Sequence, residues 1–404
     1  MLIGKTSSLR RNKQVNGAIK VKPSKKVKVL HVVGAMNRAG TETMLMNFYR
    51  HMDHDKFQFD FVSYDKGIAD YDEEIESLNG TIIKLTKTSS IKQLFAAIKK
   101  YGPYDVVHAH TLFHSGIVNL AAFLAGVKIR ITHAHTTTDK SSFSRKIYMT
   151  TMRFLINTFS TTLLACSKEA GLFVFGKGSV KKQKYSYFPN AIDYATFLQP
   201  AEIDVENFKL EEGLENQSIV IGHIGTFKTS KNHMFLLSIM ERLVEKEPAI
   251  TLLFVGDGEL RQSIQEKAQQ QGLMDNVKFL GVRKDIQTLL HSMDVFVFPS
   301  IYEGLGLVLL EAQASGVPCI VSEAIQPEAD LGFGLVEKLP LAEGSEIWAE
   351  RIIQSVGKKE KNTNKIMSHF EKSGYSLTNG MAILQKIYNY KEETDEKEDV
   401  NRLF

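Results

Sequence analysis

The chain has 404 residues, with 50 Lys and Arg against 46 Asp and Glu, a formal charge of +4, and 43% hydrophobic and 24% charged residues. This is the composition of a soluble globular protein long enough for two domains with sizeable cores. Cys166 and Cys319 are its two cysteines, and neither has a neighbouring His or Cys at metal-site spacing. A disulfide framework is therefore excluded, and a reducing, cytoplasmic location is expected.

The run 116–129 contains Asn119 and Lys128 and is too short to span a bilayer. Residues 1–26 carry Lys5, Arg10, Arg11, Lys13, Lys20, Lys22, Lys25 and Lys26 without an apolar core. That pattern is not a secretory signal and is expected to be a disordered basic tail. The first 204 residues are basic in balance and the remainder acidic. A basic first half suits peripheral contact with an anionic membrane face or a phosphorylated acceptor.

In chain order, 28–33 is predicted as the first buried strand, followed by a glycine-bearing loop through Gly34 and Gly40 and a helix over 41–52. Strands are expected at 57–63, 81–85, 105–110, 128–132 and 162–166, with helices at 91–101, 115–125 and 142–157. Such alternation predicts a mostly parallel sheet with ligands at the carboxyl ends of its strands. His108, His110, His133 and His135 fall at two such ends. Ser167 has the character of an N-cap. A domain covering 27–196 is expected to end just after Phe188-Pro189-Asn190-Ala191-Ile192-Asp193.

A second alternating set begins at 219–224, which leads through Gly225-Thr226-Phe227-Lys228-Thr229-Ser230-Lys231 into a helix ending near Glu247. Strands at 251–255 and 277–280 follow, then Gly281-Val282-Arg283. The strand 294–298 next runs into Pro299-Ser300-Ile301-Tyr302-Glu303-Gly304-Leu305-Gly306, and a helix over 307–315 carries Glu311. Strand, glycine loop and helix N-terminus form an anion site, because free backbone N–H groups point outward with the helix dipole behind them. Glu303 and Glu311 flank it; a fully helical span would separate them by roughly 12 Å. Carboxylates are acceptor-only partners for hydroxyl-rich ligands. The pair therefore suits a diphosphate carrying a sugar ring at each end. Beyond Pro340, helices are expected at 346–356 and 379–390, with an acidic tail from 391 to 404.

The Glu-x7-Glu signature from Glu303 to Glu311 resembles that of retaining glycosyltransferases of family 4, which have the GT-B fold. The surrounding chain, about 27 to 340, is similar to bacterial members that build exopolysaccharide or capsule. The resemblance implies an α/β chain with two Rossmann-like domains whose parallel sheets face an interdomain cleft. The donor domain would cover 197–378, with 379–404 a terminal helix and tail. The implied reaction transfers a sugar from a nucleotide-sugar donor, most simply a UDP-sugar, to a glycan or lipid-linked acceptor, with no cofactor, no obligatory metal and no nucleic-acid partner.

By the same resemblance Glu303 binds the donor sugar, Glu311 the ribose and Lys231 the diphosphate. The backbone of Gly304, Leu305 and Gly306 supports phosphate or sugar, Arg283 lies toward the nucleobase, and the Gly40 loop faces the donor phosphates. His135 orients the reacting sugar or the acceptor, whereas His108, His110 and His133 are expected to be satisfied polar residues at strand ends. Two positions depart from the family pattern: Ala39 replaces one of two adjacent glycines, and Thr226 replaces an arginine. The second removes a bidentate phosphate grip and raises an alternative, a catalytically weakened nucleotide-sugar-binding subunit of an assembly complex. A nicotinamide-linked oxidoreductase fits poorly, since no Gly-x-Gly-x-x-Gly follows the first strand.

Overall fold

The computed structural model describes residues 26–135, 143–181, 185–199, 202–214 and 219–388. The basic tail up to residue 25, the segment 136–142 after His135 and the acidic end lie outside those residues, as do the side chains of Arg145 and Lys146.

Seven strands form the first sheet among the described residues: β1 Val27–Val32, β2 Phe57–Ser63, β3 Ile82–Lys84, β4 Val106–Ala109, β5 Ile129–Ala134, β6 Thr162–Ala165 and β7 Ser186–Tyr187. Their order is β3-β2-β1-β4-β5-β6-β7. The second sheet holds β8 Val220–Ile224, β9 Thr251–Val255, β10 Val277–Gly281, β11 Val295–Phe298, β12 Cys319–Ser322 and β13 Val336–Leu339. Its order is β10-β9-β8-β11-β12-β13, and the pairings in both sheets are parallel. Strands covered by helices on both faces need apolar residues throughout, which is why β11 reads Val-Phe-Val-Phe and is buried at every position.

Each order reverses once, between β1 and β4 in the first sheet and between β8 and β11 in the second. A reversal sends successive crossover helices to opposite faces and opens a crevice beyond the strand ends. The Gly40 loop follows β1, Lys231 follows β8 and Glu303 follows β11. Topology alone thus directs the predicted ligand loops toward crevices.

Most predicted elements lie within one or two residues of their observed ends. Ser167 does cap its helix, its Oγ accepting from Ala170 N at 3.1 Å, a contact whose loss costs about 1 kcal/mol. The terminal helix Leu377–Tyr388 returns to the first sheet. Gly380 permits this approach, because a Cβ there would lie 2.8 Å from the Phe48 ring. The hydroxyl of Tyr388 reaches His108 Nδ1 at 2.8 Å, so the chain's last described helix closes on its first domain.

Candidate active site

On the second sheet, β11 delivers the buried Ser300 and then the loop of Glu303. Glu303 Oε1 accepts from Lys231 Nζ at 2.6 Å and from Ser300 Oγ at 2.8 Å. Gly306 ends the loop at φ +78°, a left-handed conformation suited to glycine, and no side chain caps the helix Leu307–Ala314 that begins there. The first turn of that helix therefore keeps backbone donors for an anion. Glu303 to Gly306 is not helical, so the premise behind the 12 Å separation from Glu311 does not hold.

The Lys231 ammonium sits 4.5 Å from the centre of the Phe298 ring, a cation–π contact that orients it. Its stem crosses Gly225, where a Cβ would come within 3.3 Å of it. Gly256 has φ +132°, and a Cβ there would lie 2.3 Å from the Gly225 carbonyl oxygen. Gly256 thus does more than shape its own turn: it lets the loop after β9 press against the loop that carries Thr226 and Lys231.

Glu311 retains partial exposure at the cleft, yet surrounding protein raises its pKa to about 7 by desolvation. Arg283 donates through Nε and a terminal nitrogen to Asp285 at 2.9 and 2.6 Å. This pairing fixes the plane of the guanidinium and takes up two of its five donors.

On the first sheet, Gly40 opens the helix Gly40–His51. A Cβ on Gly40 would stand 3.8 Å from Leu307, so the glycine loop of one sheet meets the donor helix of the other. His135 follows β5, with Nδ1 3.3 Å from Asn190 Oδ1 and Nε2 2.8 Å from His110 Nδ1. The amide oxygen only accepts, so His135 carries its proton on Nδ1 and accepts at Nε2 from His110. Burial lowers the pKa of His135 to about 4, leaving the imidazole neutral.

One cleft of about 1050 Å³ is lined by Gly40, His135, Lys231, Arg283, Glu303, Gly304, Leu305, Gly306 and Glu311. All nine predicted site residues meet there, although they come from loops spread over most of the chain. Thr226 and Lys228 line it too. Sequence reasoning missed Glu42, in the first turn after Gly40, which lines the cleft and has a pKa raised by desolvation to about 7. The signal was a carboxylate two residues after the loop glycine. It also missed Asn190, legible only as linker sequence, because its bond to His135 spans 55 residues.

One expectation fails. His110 has partners on both ring nitrogens, as expected, but His108 and His133 are not satisfied strand-end residues: with His31 and His110 they form an aromatic cluster in which His31 Nε2, His108 Nε2 and both ring nitrogens of His133 have no hydrogen-bond partner. The chain also contains two Asp-x-Asp tripeptides, Asp53-His54-Asp55 and Asp70-Tyr71-Asp72. Asp53 pairs with Lys56, Asp70 accepts from Arg38 N, and Asp72 pairs with Lys84.

Two doubly wound parallel sheets with ligand loops from both switch points converging on a shared cleft define the GT-B fold. Consistent with that class, the fold matches Anabaena HepE in complex with UDP-glucose, with a TM-score of 0.72, 19% identity, and coverage of 91% of this chain and 99% of that one. It also matches WaaG, a glycosyltransferase involved in lipopolysaccharide biosynthesis, at a TM-score of 0.60 and 14% identity over 92% of this chain and all of that one.

The family described as Glycosyltransferase Family 4 matches residues 38–196, and that described as Glycosyl transferases group 1 matches residues 204–331. EpsF of Bacillus subtilis (strain 168), named as a glycosyltransferase, is 40% identical over 92% of this chain and 99% of its own. The capsular polysaccharide biosynthesis glycosyltransferase CapH of Staphylococcus aureus is 31% identical over 83% of this chain and 92% of its own. The Escherichia coli UDP-Gal:alpha-D-GlcNAc-diphosphoundecaprenol alpha-1,3-galactosyltransferase is 27% identical over 74% and 79%. The chain belongs to the family 4 glycosyltransferases.

Proposed function

We propose that this protein is a retaining glycosyltransferase of exopolysaccharide or capsule biosynthesis, moving a sugar from a UDP-sugar to a glycan or lipid-linked acceptor. The observation that carries this reading is the meeting of Lys231, Glu303, the Gly304–Gly306 backbone and Glu311 with Gly40 and His135 around one cleft. Lys231 neutralises the diphosphate, Glu303 accepts from donor-sugar hydroxyls and Glu311 from the ribose. Arg283, held by Asp285, marks the nucleobase end. His135, neutral and anchored by Asn190, orients the sugar or acceptor.

In the reaction the bond between C1 and the phosphate oxygen breaks, its electron pair leaving with UDP. The acceptor oxygen bonds C1 on the same face, and its proton passes to the departing phosphate. Backbone donors of the helix Leu307–Ala314 favour the charge that develops on that phosphate.

Named relatives supply the biological setting: a capsular polysaccharide enzyme and a galactosyltransferase that uses a diphosphoundecaprenol acceptor. Among the described residues no helix is long and apolar enough to cross a membrane. Peripheral membrane contact is the arrangement we favour, through Phe123, Leu124, Ile147 and Phe154, which are exposed on two packed helices. Flotation with anionic but not zwitterionic vesicles would support it, and no flotation with either would remove it.

Thermal stabilisation by UDP, GDP, ADP and NAD, compared at saturation, tests the donor reading. UDP is expected to stabilise the protein selectively, and Glu311→Ala to abolish the effect. Stabilisation by NAD alone would overturn the proposal. Thr226 motivates the other reading, a binding subunit without turnover; UDP binding with no sugar transfer to any suitable acceptor would favour it.

A further inference from the structure

Beneath the cleft, β1 and β4 lie side by side, with His31 paired in register to His108. Both rings are buried, at 0% and 1% exposure. His110, at the end of β4, is partly exposed and joins them. The ring centres of His31, His108 and His110 lie 4.3 to 5.4 Å apart. One nitrogen from each lies within 4.8 Å of the other two.

This is an unusual way to build a sheet interior. Two ring nitrogens, His31 Nε2 and His108 Nε2, are buried without a partner. Leaving such groups unpaired disfavours the fold by about 1–3 kcal/mol each. An apolar residue at either position would avoid that cost. Phe59 and Phe61, which pack against His31, show that aromatic side chains fit this layer.

We propose that His31, His108 and His110 bind a borderline divalent transition metal of the zinc class, as a structural site separate from the reacting atoms. Three observations support it. First, His31 Nδ1 and His110 Nε2 are hydrogen-bonded at 3.1 Å in the metal-free cluster; with the His31 proton moved to Nε2, the same two atoms are spaced close to the roughly 3.3 Å separating two nitrogen ligands of a tetrahedral ion with bonds of about 2.0–2.1 Å, and the partnerless His108 Nε2 is the third ligand. Second, His31 and His108 are buried in this layer, which keeps solvent from competing for the ion.

Third, the outer partners are in place. His110 Nδ1 donates to His135 Nε2, which leaves the His110 Nε2 lone pair facing the cluster. His108 Nδ1 is 2.8 Å from the Tyr388 hydroxyl; donation there leaves Nε2 as the ligating atom. Metal-bound histidines commonly hold their second nitrogen in this way. An all-imidazole set favours zinc, nickel, cobalt or copper over magnesium or calcium. Because Tyr388 belongs to the returning terminal helix, the ion would tie that helix to the first sheet.

The test uses the full chain without a histidine tag, expressed in zinc-supplemented medium. Metal content after gel filtration is expected to be about one zinc per chain, and cobalt added to stripped protein is expected to give the visible bands of a tetrahedral site. Tyr388→Phe should weaken zinc about 10- to 100-fold while the fold persists. His31→Phe with His108→Phe should abolish binding, whereas His233→Phe, in the second domain, should leave it unchanged. Less than about a tenth of an equivalent of zinc together with no cobalt bands would overturn the site. Undiminished zinc in the double variant would place the metal elsewhere and equally overturn it. Metal content is read independently of sugar transfer, so this result and the donor proposal fail separately.

Discussion

Lys231 Nζ lies 2.6 Å from Glu303 Oε1, so the cation assigned to the diphosphate and the carboxylate assigned to the sugar pair with each other across the donor loop. Both side chains are largely shielded, at 18% and 11% exposure, and Ser300 gives the carboxylate a second donor. A bound diphosphate competes for the ammonium, while Ser300 holds Glu303 in position for a hydroxyl donor. Lys231→Ala is therefore expected to raise the dissociation constant for UDP-glucose about 10- to 100-fold, or about 1.4–2.8 kcal/mol. Glu303→Gln should lower turnover far more than UDP affinity, since UDP lacks the sugar. Calorimetric titration of both variants with UDP and UDP-glucose checks this; equal losses for the two ligands in Glu303→Gln would contradict the assignment.

Glu311 gives donor binding a pH dependence. Its pKa in the fold is raised from 4.5 to about 7 by desolvation. The protonated form thus contributes stability that is fully present below the unfolded value and is lost as pH rises from about 4.5 through 7. Ribose hydroxyls donate to the ionised form, so UDP-glucose affinity should rise by up to about 10-fold between pH 6 and pH 8. UDP-glucose is the proper probe because its diphosphate diester does not titrate there. Glu311→Gln should remove the slope, and a slope that survives in that variant would assign it to another group.

Thr226 lines the cleft near Lys228 and Lys231. Thr226→Arg introduces the bidentate donor that the family pattern carries. Affinity for UDP is expected to increase about 10-fold, a gain of about 1.4 kcal/mol. Weaker binding would mean that the two lysines already fill the phosphate position and that the guanidinium displaces them.

Gly256 is constrained by both backbone angle and space. Gly256→Ala would force apart the loops at 225 and 256, and is expected to destabilise the second domain by about 2–4 kcal/mol in urea unfolding. Gly272→Ala, at φ +68° but with nothing near its Cβ, carries only the backbone strain and should cost about 1 kcal/mol. Equal effects would show that the loop contact contributes little.

The sequence by itself determined the strands, the helices and most of the donor loop, because these depend on neighbours in the chain. Val295–Phe298, a short β-branched and aromatic run bounded by turn residues, reads as a buried strand, and a helix entered through Gly306 without a side-chain cap leaves backbone donors for an anion. Glu303 and Glu311 were legible for that reason, from nine residues of local pattern.

Only the tertiary structure decided what meets across the chain. Sheet order brings His31 beside His108, 77 residues away, and Asn190 beside His135. The return of the last described helix supplies Tyr388 to a histidine 280 residues earlier. No periodicity encodes such pairs. Their existence, and the shifts of Glu42 and Glu311 to about 7, follow from desolvation and contact, which arise only once distant segments are packed together.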